Sequence, residues 1–453
     1  MNLPKIFQSL EKSKLINLLI LFLCALFFWT SITCLLPTLP PYIQDIGATA
    51  KQVGYIMGCF AIGLLLSRVW LGKLADEGLI KFVKQMKLNS GITNFFIRIF
   101  HKFIGKLADY PSRKIVIIIG TLVATIAPMG YLWLNSIPQL MVIRAFHGIS
   151  IAAFTTGYSA LVVDLSPPKQ RGELIGYMSL AVPIGMAIGP AVGGFLQEYT
   201  SYQILFTVSA SCGILALILA TQIREFYSSS QDNISTEIDK ANRSNFKDII
   251  SNPSFLVPTL ILLLIGCLFG TLVTFLPLYL RYIQLDFNVG LFYTAAAIAS
   301  FVVRFISGQA SDKHGRGIFI SISIICYILS MTLLTFVQSA NILLLSAILE
   351  GTGAGMLVPI TLALIADRCT SNERGKVFAI CVSGFDVGVA LGGPVLGSLL
   401  LDLGYRFMFG ATAIMAIMAL IIFIGFSNKN ISNSWRFAFG DAPDLYALQS
   451  LNN

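Results

Sequence analysis

Hydrophobic positions along the chain gather into runs about as long as a bilayer core is thick, parted by short polar stretches. Twelve runs are read, at about 15–36, 52–72, 114–134, 139–163, 172–197, 202–222, 254–280, 289–310, 317–337, 341–366, 376–401 and 405–426. Each is long enough for one membrane-crossing helix, so the pattern predicts an all-α integral membrane protein with twelve transmembrane helices. The first run, Leu15 to Leu36, exceeds a signal-peptide core and lacks a small-x-small cleavage site, and is read as a retained helix. Between and beyond the runs lie a polar linker, 223–252, rich in Ser, Asn and mixed charge, and a 27-residue tail, 427–453. The tail, with Trp435, Phe437 and Phe439, is expected to be disordered or to rest on the membrane surface rather than to form a domain.

The runs also repeat. Gly72-Lys73-Leu74-Ala75-Asp76 recurs as Gly105-Lys106-Leu107-Ala108-Asp109, and a looser version, Gly308-Gln309-Ala310-Ser311-Asp312, follows Arg304 as the first copy follows Arg68. Early in the chain the matching positions are offset by 236, as in Gly54 to Gly290, Arg68 to Arg304 and Asp76 to Asp312. Later the offset is 203, as in Arg113 to Arg316, Asp164 to Asp367, Arg171 to Arg374 and Gly189 to Gly392. The difference of 33 equals the spacing of the two five-residue copies, which marks a 33-residue insert near 77–109. Such repetition predicts two homologous six-helix halves, 1–222 and 253–426, joined by the linker. Within the insert, Phe96, Ile99, Phe100, Phe103 and Leu107 recur at helical spacing while Arg98, Lys102 and Lys106 share another face. Basic amphipathic segments tend to lie at a membrane surface. A regulatory surface helix and a tolerated loop expansion both remain open here.

Composition agrees with the pattern: 56% of residues are hydrophobic, 12% are charged and the mean hydropathy is +0.79. The net charge of +9 would suit nucleic acid, but its placement does not. With both termini cytoplasmic, the outer loops hold only Lys51, Arg281 and Arg406, three arginines (68, 144, 304) lie within runs, and the remaining 25 of 31 basic residues fall inside. That asymmetry sets the expected orientation in a cell inner (plasma) membrane. The eight cysteines are scattered through apolar runs without a Cys-x-x-Cys, as buried thiols rather than disulfides or metal ligands. No phosphate-binding loop, nucleophile–base pair or metal-ligand cluster is read, which argues against a pump driven by nucleotide and against an enzyme.

Ionisable residues inside apolar runs are costly and are functional candidates by default. Arg144 and His147 share one face of the fourth run, and Thr155 and Tyr158 extend that polar side. Glu350 stands at the position matching His147, and Asp386 at the position matching Pro183. A carboxyl group near the midplane whose balance shifts as a cavity opens can exchange one proton for one substrate. Asp386 or Glu350 is the candidate proton carrier, with Arg144 as its partner; a static buried ion pair or a packing hydrogen bond is the alternative. Gly185, Gly189 and Gly193, with Gly194 and Pro190, form a small-residue stripe in the fifth run, repeated in the eleventh by Gly388, Gly392 and Pro394. Small stripes allow helix backbones to approach closely, and proline removes a backbone donor and favours a bend. Phe27, Phe28, Trp29, Thr30, Thr33, Phe269, Thr271, Thr274 and Phe385 are read as candidate lining of an amphipathic or organic solute's path.

These residues resemble the major facilitator superfamily over nearly the whole chain. The loop after the second run is similar to that superfamily's signature, with Ser112 where a glycine is usual. Arg144-Ala145-Phe146-His147-Gly148 resembles its intramembrane arginine motif, and Gly185 to Gly194 resembles the motif of its drug/proton antiporter branch. The resemblance implies a cytoplasmic latch made by Asp109, Arg113, Asp164, Asp312, Arg316 and Asp367, with Arg171 and Arg374 in the same layer. Asp76 is the other candidate for the loop acid, and Arg68 and Arg304 either join the latch or extend toward the interface. The expected function is proton-coupled export of a small organic solute by a monomer, driven by the proton gradient without cofactor or metal, with lipid as its only other partner. Uptake or uniport, and a non-transporting membrane sensor, are the competing readings.

Overall fold

A computed structural model describes residues 11–77, 113–167, 171–224, 249, 251–370 and 373–448. Among them, twelve helices are long and apolar enough to cross a membrane. They are Lys12–Thr33, Ala50–Arg68, Arg113–Trp133, Ile137–Leu165, Glu173–Tyr199, Tyr202–Gln222, Pro253–Tyr282, Val289–Gly308, Arg316–Thr335, Ala340–Arg368, Lys376–Leu399 and Leu403–Phe426. We refer to these as spans one to twelve; each lies within a few residues of its predicted run. The insert near 77–109, with Asp109, and most of the linker lie outside the described residues.

Two details depart from the hydropathy pattern. Span five is interrupted at Leu180, between helices Arg171–Ser179 and Ala181–Tyr199. Pro183 has no N–H to donate to the Ser179 carbonyl, and its ring crowds that oxygen, so the helix breaks here. The expected bend at Pro190 is not the break: the helix runs uninterrupted from Ala181 through Pro190 to Tyr199. Spans eleven and twelve follow each other with only Gly404 between two helical stretches, its φ of 83° giving the turn that a residue with a Cβ rarely adopts.

The chain divides into two compact units. The first comprises 1–35, 59–185 and 200–227, and the second 36–58, 186–199 and 228–453. In the first, spans one, three, four, five and six close on a core that includes Leu21, Phe28, Phe154, Leu161 and Ala216. Ser31 donates to the Ser209 carbonyl at 2.7 Å and Ser209 to the Ser31 carbonyl at 2.8 Å, tying spans one and six. Gly148 abuts the Phe60 carbonyl and Gly63 the backbone of Ala145, so spans two and four touch backbone to backbone. In the second unit the same crossing recurs between spans eight and ten, where Gly351 abuts the Ala296 carbonyl. Gly148 and Gly351 are repeat partners at the offset of 203, and Phe60 and Ala296 at 236. A second pair of contacts repeats too: Gly120 packs on Ser150, and at the matching positions the Ser323 hydroxyl donates to the Gly353 carbonyl at 3.0 Å.

The tail is folded rather than disordered. Residues 427–448 pack on the second unit through a helix, Ile431–Ala438, capped by the Asn430 side chain and closed by Gly440 at φ 86°. At that end the Gly440 amide donates to Phe437 and the Asp441 amide to Arg436, the paired bonds of a glycine-terminated helix. Arg368, at the end of span ten, holds the strap: it donates to Asp444 at 2.7 and 3.1 Å and to the Ser254 and Ser427 carbonyls at 2.8 Å. Its side chain is fully buried. The sequence reading missed this because a polar tail with few apolar residues offers no periodic stripe; one arginine and one aspartate 76 positions apart decide it.

The glycine crossings yield a prediction. A Cβ at Gly351 meets the backbone of Ala296, whereas one at Gly308 meets nothing within 4 Å. Gly351→Ala should therefore destabilise by about 1–3 kcal/mol, while Gly308→Ala should be neutral or stabilising by up to ~1 kcal/mol. Thermal unfolding of both purified variants checks the contrast.

Candidate functional site

The crossing of spans two and four fixes the ionisable residues beside it. His147 precedes Gly148, and its Nδ1 lies 3.1 Å from the Tyr131 hydroxyl of span three. Phe60 of span two meets the His147 ring edge to face at 5.5 Å and lies under the Arg144 guanidinium at 4.3 Å. Arg144 is 6% exposed and His147 fully buried. Arg144 Nε and His147 Nε2 have no hydrogen-bond partner among the described residues. Burying such atoms unsatisfied is costly, which makes the cluster a place for a polar group to arrive. Tyr131 and Phe60 were missed by sequence reasoning; both sit in apolar runs with no polar neighbour to mark them. Tyr158 does not join the cluster, because its hydroxyl donates to the Met178 carbonyl at 2.8 Å.

The matching crossing in the second unit fixes Glu350 beside Gly351. Glu350 is 4% exposed, and its Oε1 has no hydrogen-bond partner among the described residues. Tyr293 of span eight and Tyr327 of span nine lie within its electrostatic reach, and Arg304 lies within reach of Tyr327. Asp386 is half-buried on span eleven, next to Phe385, whose backbone abuts Gly266 and whose ring stands 5.9 Å from Phe269.

The charges at the span ends on the side of the termini form duplicated pairs. Arg113 meets Asp164 at 3.6 Å in the first unit, and Arg316 meets Asp367 at 3.3 Å in the second. Arg316 also pairs with Asp312 and donates to the Ser311 hydroxyl at 2.9 Å. Arg374 reaches the Ala366 carbonyl at 3.5 Å, and Arg68 is half-buried. Asp109 and the side chains of Asp76 and Arg171 lie outside what is described.

At the opposite end of the second unit, contacts appear that the sequence reading did not name. Arg281 binds Asp45 at 2.5 Å, and Asn288 donates to Glu198 at 2.8 Å. Gly54 packs on the Gly393 carbonyl, and Gly290 on the Pro190 carbonyl. These two contacts are repeat partners, 54 with 290 and 190 with 393, and Asp45 and Arg281 are themselves 236 apart. Opposite charges at equivalent positions of a duplicated chain, Asp45 and Arg281, were the available signal. A cavity of about 300 Å³ opens there, lined by Pro41, Glu198, Pro277, Arg281 and Asp286 among others. The fifth- and eleventh-span stripes serve this packing: Gly194 abuts Gly290, and Gly388 and Gly392 abut span seven at Leu263 and Cys267. Gly185 packs on Trp29 in the first unit, and Gly189 and Gly193 are buried.

Part of the candidate lining is taken up by packing, while Phe27, Trp29, Phe269 and Phe385 are half-buried. Phe28 is fully buried and stacks on Phe154 at 3.9 Å. Thr30, Thr271 and Thr274 each donate to the carbonyl four residues earlier in their own helix. Thr33 bonds both Trp29 and Gly185. Hydroxyls satisfied in this way are quiet packing groups within a helix.

Comparison with known proteins follows the geometry. The family model of the Major Facilitator Superfamily matches residues 85–316 and 280–444. Multidrug resistance protein 1 of Bacillus subtilis is 25% identical over 419 residues, covering 91% of this chain and 97% of that protein. Multidrug resistance protein MdtG of Yersinia enterocolitica is 25% identical over 374 residues, covering 80% of this chain and 89% of its own length. Among solved structures, a bacterial homologue of the human lysosomal transporter Spinster superposes with a TM-score of 0.67 at 16% identity, covering 96% of this chain and all of that one. A POT family transporter does so with a TM-score of 0.70 at 14% identity, covering 93% and 99%. At such identities the superpositions speak to the fold.

Two neighbouring arginines test how burial sets the worth of an ion pair. The Arg316 and Asp367 side chains are 21% and 45% exposed, so Arg316→Ala should cost no more than about 1 kcal/mol of stability. Arg368 and Asp444 are 0% and 11% exposed, and Asp444→Ala, which strands the buried cation, should cost about 3–5 kcal/mol. Thermal unfolding in detergent distinguishes them.

Proposed function

The chain belongs to the major facilitator superfamily of membrane transporters, and on that premise we propose that it exports a small organic solute in exchange for protons by alternating access. The observation that carries this reading is the pair of buried ionisable residues, His147 and Glu350, at repeat-equivalent positions, each beside a glycine crossing and each with an unsatisfied atom. A carboxyl group in such a place gains and loses its proton with changes in its surroundings. Glu350 carries the proton, Asp386 is the alternative carrier, Arg144 is the partner, and His147 belongs to the same cavity. The relatives are multidrug resistance proteins, which supports export and a broad organic substrate.

In this reading the proton gradient supplies the driving force, and no cofactor or metal takes part. The six-helix halves 1–222 and 253–426 move as the working parts, and a single copy suffices. Both termini face the cytoplasm of a cell whose inner membrane holds the chain, which puts the Arg113–Asp164 and Arg316–Asp367 pairs at the cytoplasmic gate. Asp45–Arg281 and Glu198–Asn288 then belong to the outer gate.

Proteoliposomes with an imposed proton gradient test the proposal against a panel of amphipathic organic dyes. Wild-type protein should drive dye movement against its own gradient, and Glu350→Gln should reduce that movement by about tenfold or more while leaving dye binding measurable. Asp386→Asn is expected to do the same if it shares the proton. Full gradient-driven movement in both variants would remove the proton-carrier assignment, and accumulation in the direction of proton entry would replace export by uptake.

A further inference from the structure

The tail helix Ile431–Ala438 has three faces where a simple surface helix has two. At about 100° per residue, Ser434, Phe437 and Ala438 fall in one sector, Ile431, Trp435 and Phe439 in a second, and Ser432, Asn433 and Arg436 in a third. The first sector is buried. Its contacts are the Gly317 and Ser321 positions of span nine and Phe423 of span twelve: Gly317 abuts the Phe437 carbonyl, the Ser321 hydroxyl donates to the Ala438 carbonyl at 2.8 Å, and the Phe437 ring lies 6.0 Å from that of Phe423. The second sector is apolar and open, with Ile431 70%, Trp435 55% and Phe439 42% exposed. Trp435 and Phe439 pack on each other at 4.8 Å, so the stripe is one continuous surface. The third sector is polar.

Depth assigns the open stripe its occupant. Span nine begins at Arg316 and span twelve ends at Phe426, so the docking contacts all lie in the last ~8 Å of those spans, at the rim of the hydrocarbon core. The polar interface begins at that rim. The helix therefore sits where hydrocarbon meets interface, and its docked face is turned sideways to the bundle. The apolar and polar sectors then point to opposite sides, one toward acyl chains and the other toward water. The apolar stripe also continues a surface already facing lipid, since Phe426 and Ile421 at the end of span twelve and Ile322 in span nine are exposed. Tryptophan is the residue favoured at such depth.

We infer that Ile431, Trp435 and Phe439 form a docking face for the lipid leaflet on the side of the termini, with Arg436 at headgroup level. The strap couples this anchor to the charge layer. Beyond the helix, Asp444 is held by Arg368, and the Leu448 amide donates to the Asp367 carbonyl at 2.9 Å, on the residue whose side chain pairs with Arg316. The end of span ten is thereby tied to the membrane surface through the tail. Neither link depends on the direction or coupling of transport.

Trp435 is its own probe. The full chain and its Trp435→Phe variant are placed in nanodiscs of mixed phosphatidylcholine and phosphatidylglycerol, and the difference in their fluorescence isolates Trp435 from the other three tryptophans. A nitroxide shallow on the acyl chain should quench this difference emission at least about threefold more than iodide does in water, with a blue-shifted maximum, as for an interfacial aromatic. Arg436→Trp in the Trp435→Phe background reports the polar sector, and there iodide should be the stronger quencher. Iodide-dominated quenching at Trp435, or equal ratios at the two positions, would overturn the inference and leave the stripe to a soluble partner or a second copy. Because both substitutions are on exposed positions of a helix whose docked face is untouched, unfolding is readily recognised by loss of the wild-type thermal transition, and Phe439→Trp in the same background then repeats the apolar-sector measurement with the same two expected outcomes.

Discussion

Inside hydrocarbon, one apolar helix gains nothing from leaving lipid for another, so a bundle depends on how closely backbones can approach. In this protein several glycines allow such close approach, and two of them stand beside the ionisable residues. Gly148 against Phe60 and Gly351 against Ala296 are the same crossing made twice. Each allows a short distance between helix axes and fixes the residue before it, His147 or Glu350, in a buried place, His147 against the Phe60 ring. A side chain in place of the glycine hydrogen would push the helices apart and disturb the ionisable residue beside it. Packing and polar chemistry are thus one constraint here: the buried ionisable group is located by a contact that is itself apolar.

The ion pairs divide by burial. Arg113–Asp164 and Arg316–Asp367 are partly exposed, and screened pairs of that kind add little to stability. Their duplication at the repeat offset therefore has to be explained by something other than holding the fold. Arg368–Asp444 is the opposite case. A fully buried guanidinium with a carboxylate and two carbonyls has a partner at each of its nitrogens, and the tail is fixed because removing it would leave that cation stranded. Adjacent residues, Asp367 and Arg368, thus serve a solvated contact and a buried clamp.

Much of this was legible in the sequence. Span length depends only on bilayer thickness, so the runs mark the helices within a few residues. The two offsets, 236 and 203, pair Phe60 with Ala296 and Gly148 with Gly351, and the contacts repeat accordingly. What was not legible depends on three-dimensional choices with weak local signals. The break at Leu180 is set by Pro183, whereas attention falls naturally on Pro190 because it lies in the glycine stripe. Thr30, Thr271 and Thr274 look like cavity groups in one dimension, but a helix offers each of them its own carbonyl four residues back. The tail's fold rests on a single long-range ion pair, which no periodicity announces.

Duplication explains what the two parts of the chain share, and divergence locates what each does alone. The glycine crossings and the arginine–aspartate pairs recur with their chemistry intact. The residue next to the crossing does not: imidazole at 147, carboxyl at 350. The flanking groups diverge with it, Arg144 being matched by Ala347 and Phe60 by Ala296. One copy thus places a permanent cation on an aromatic face, while the other places an acid among tyrosines with that cation absent. One backbone arrangement, made twice, thus carries an imidazole with an arginine in one copy and a carboxyl with neither in the other.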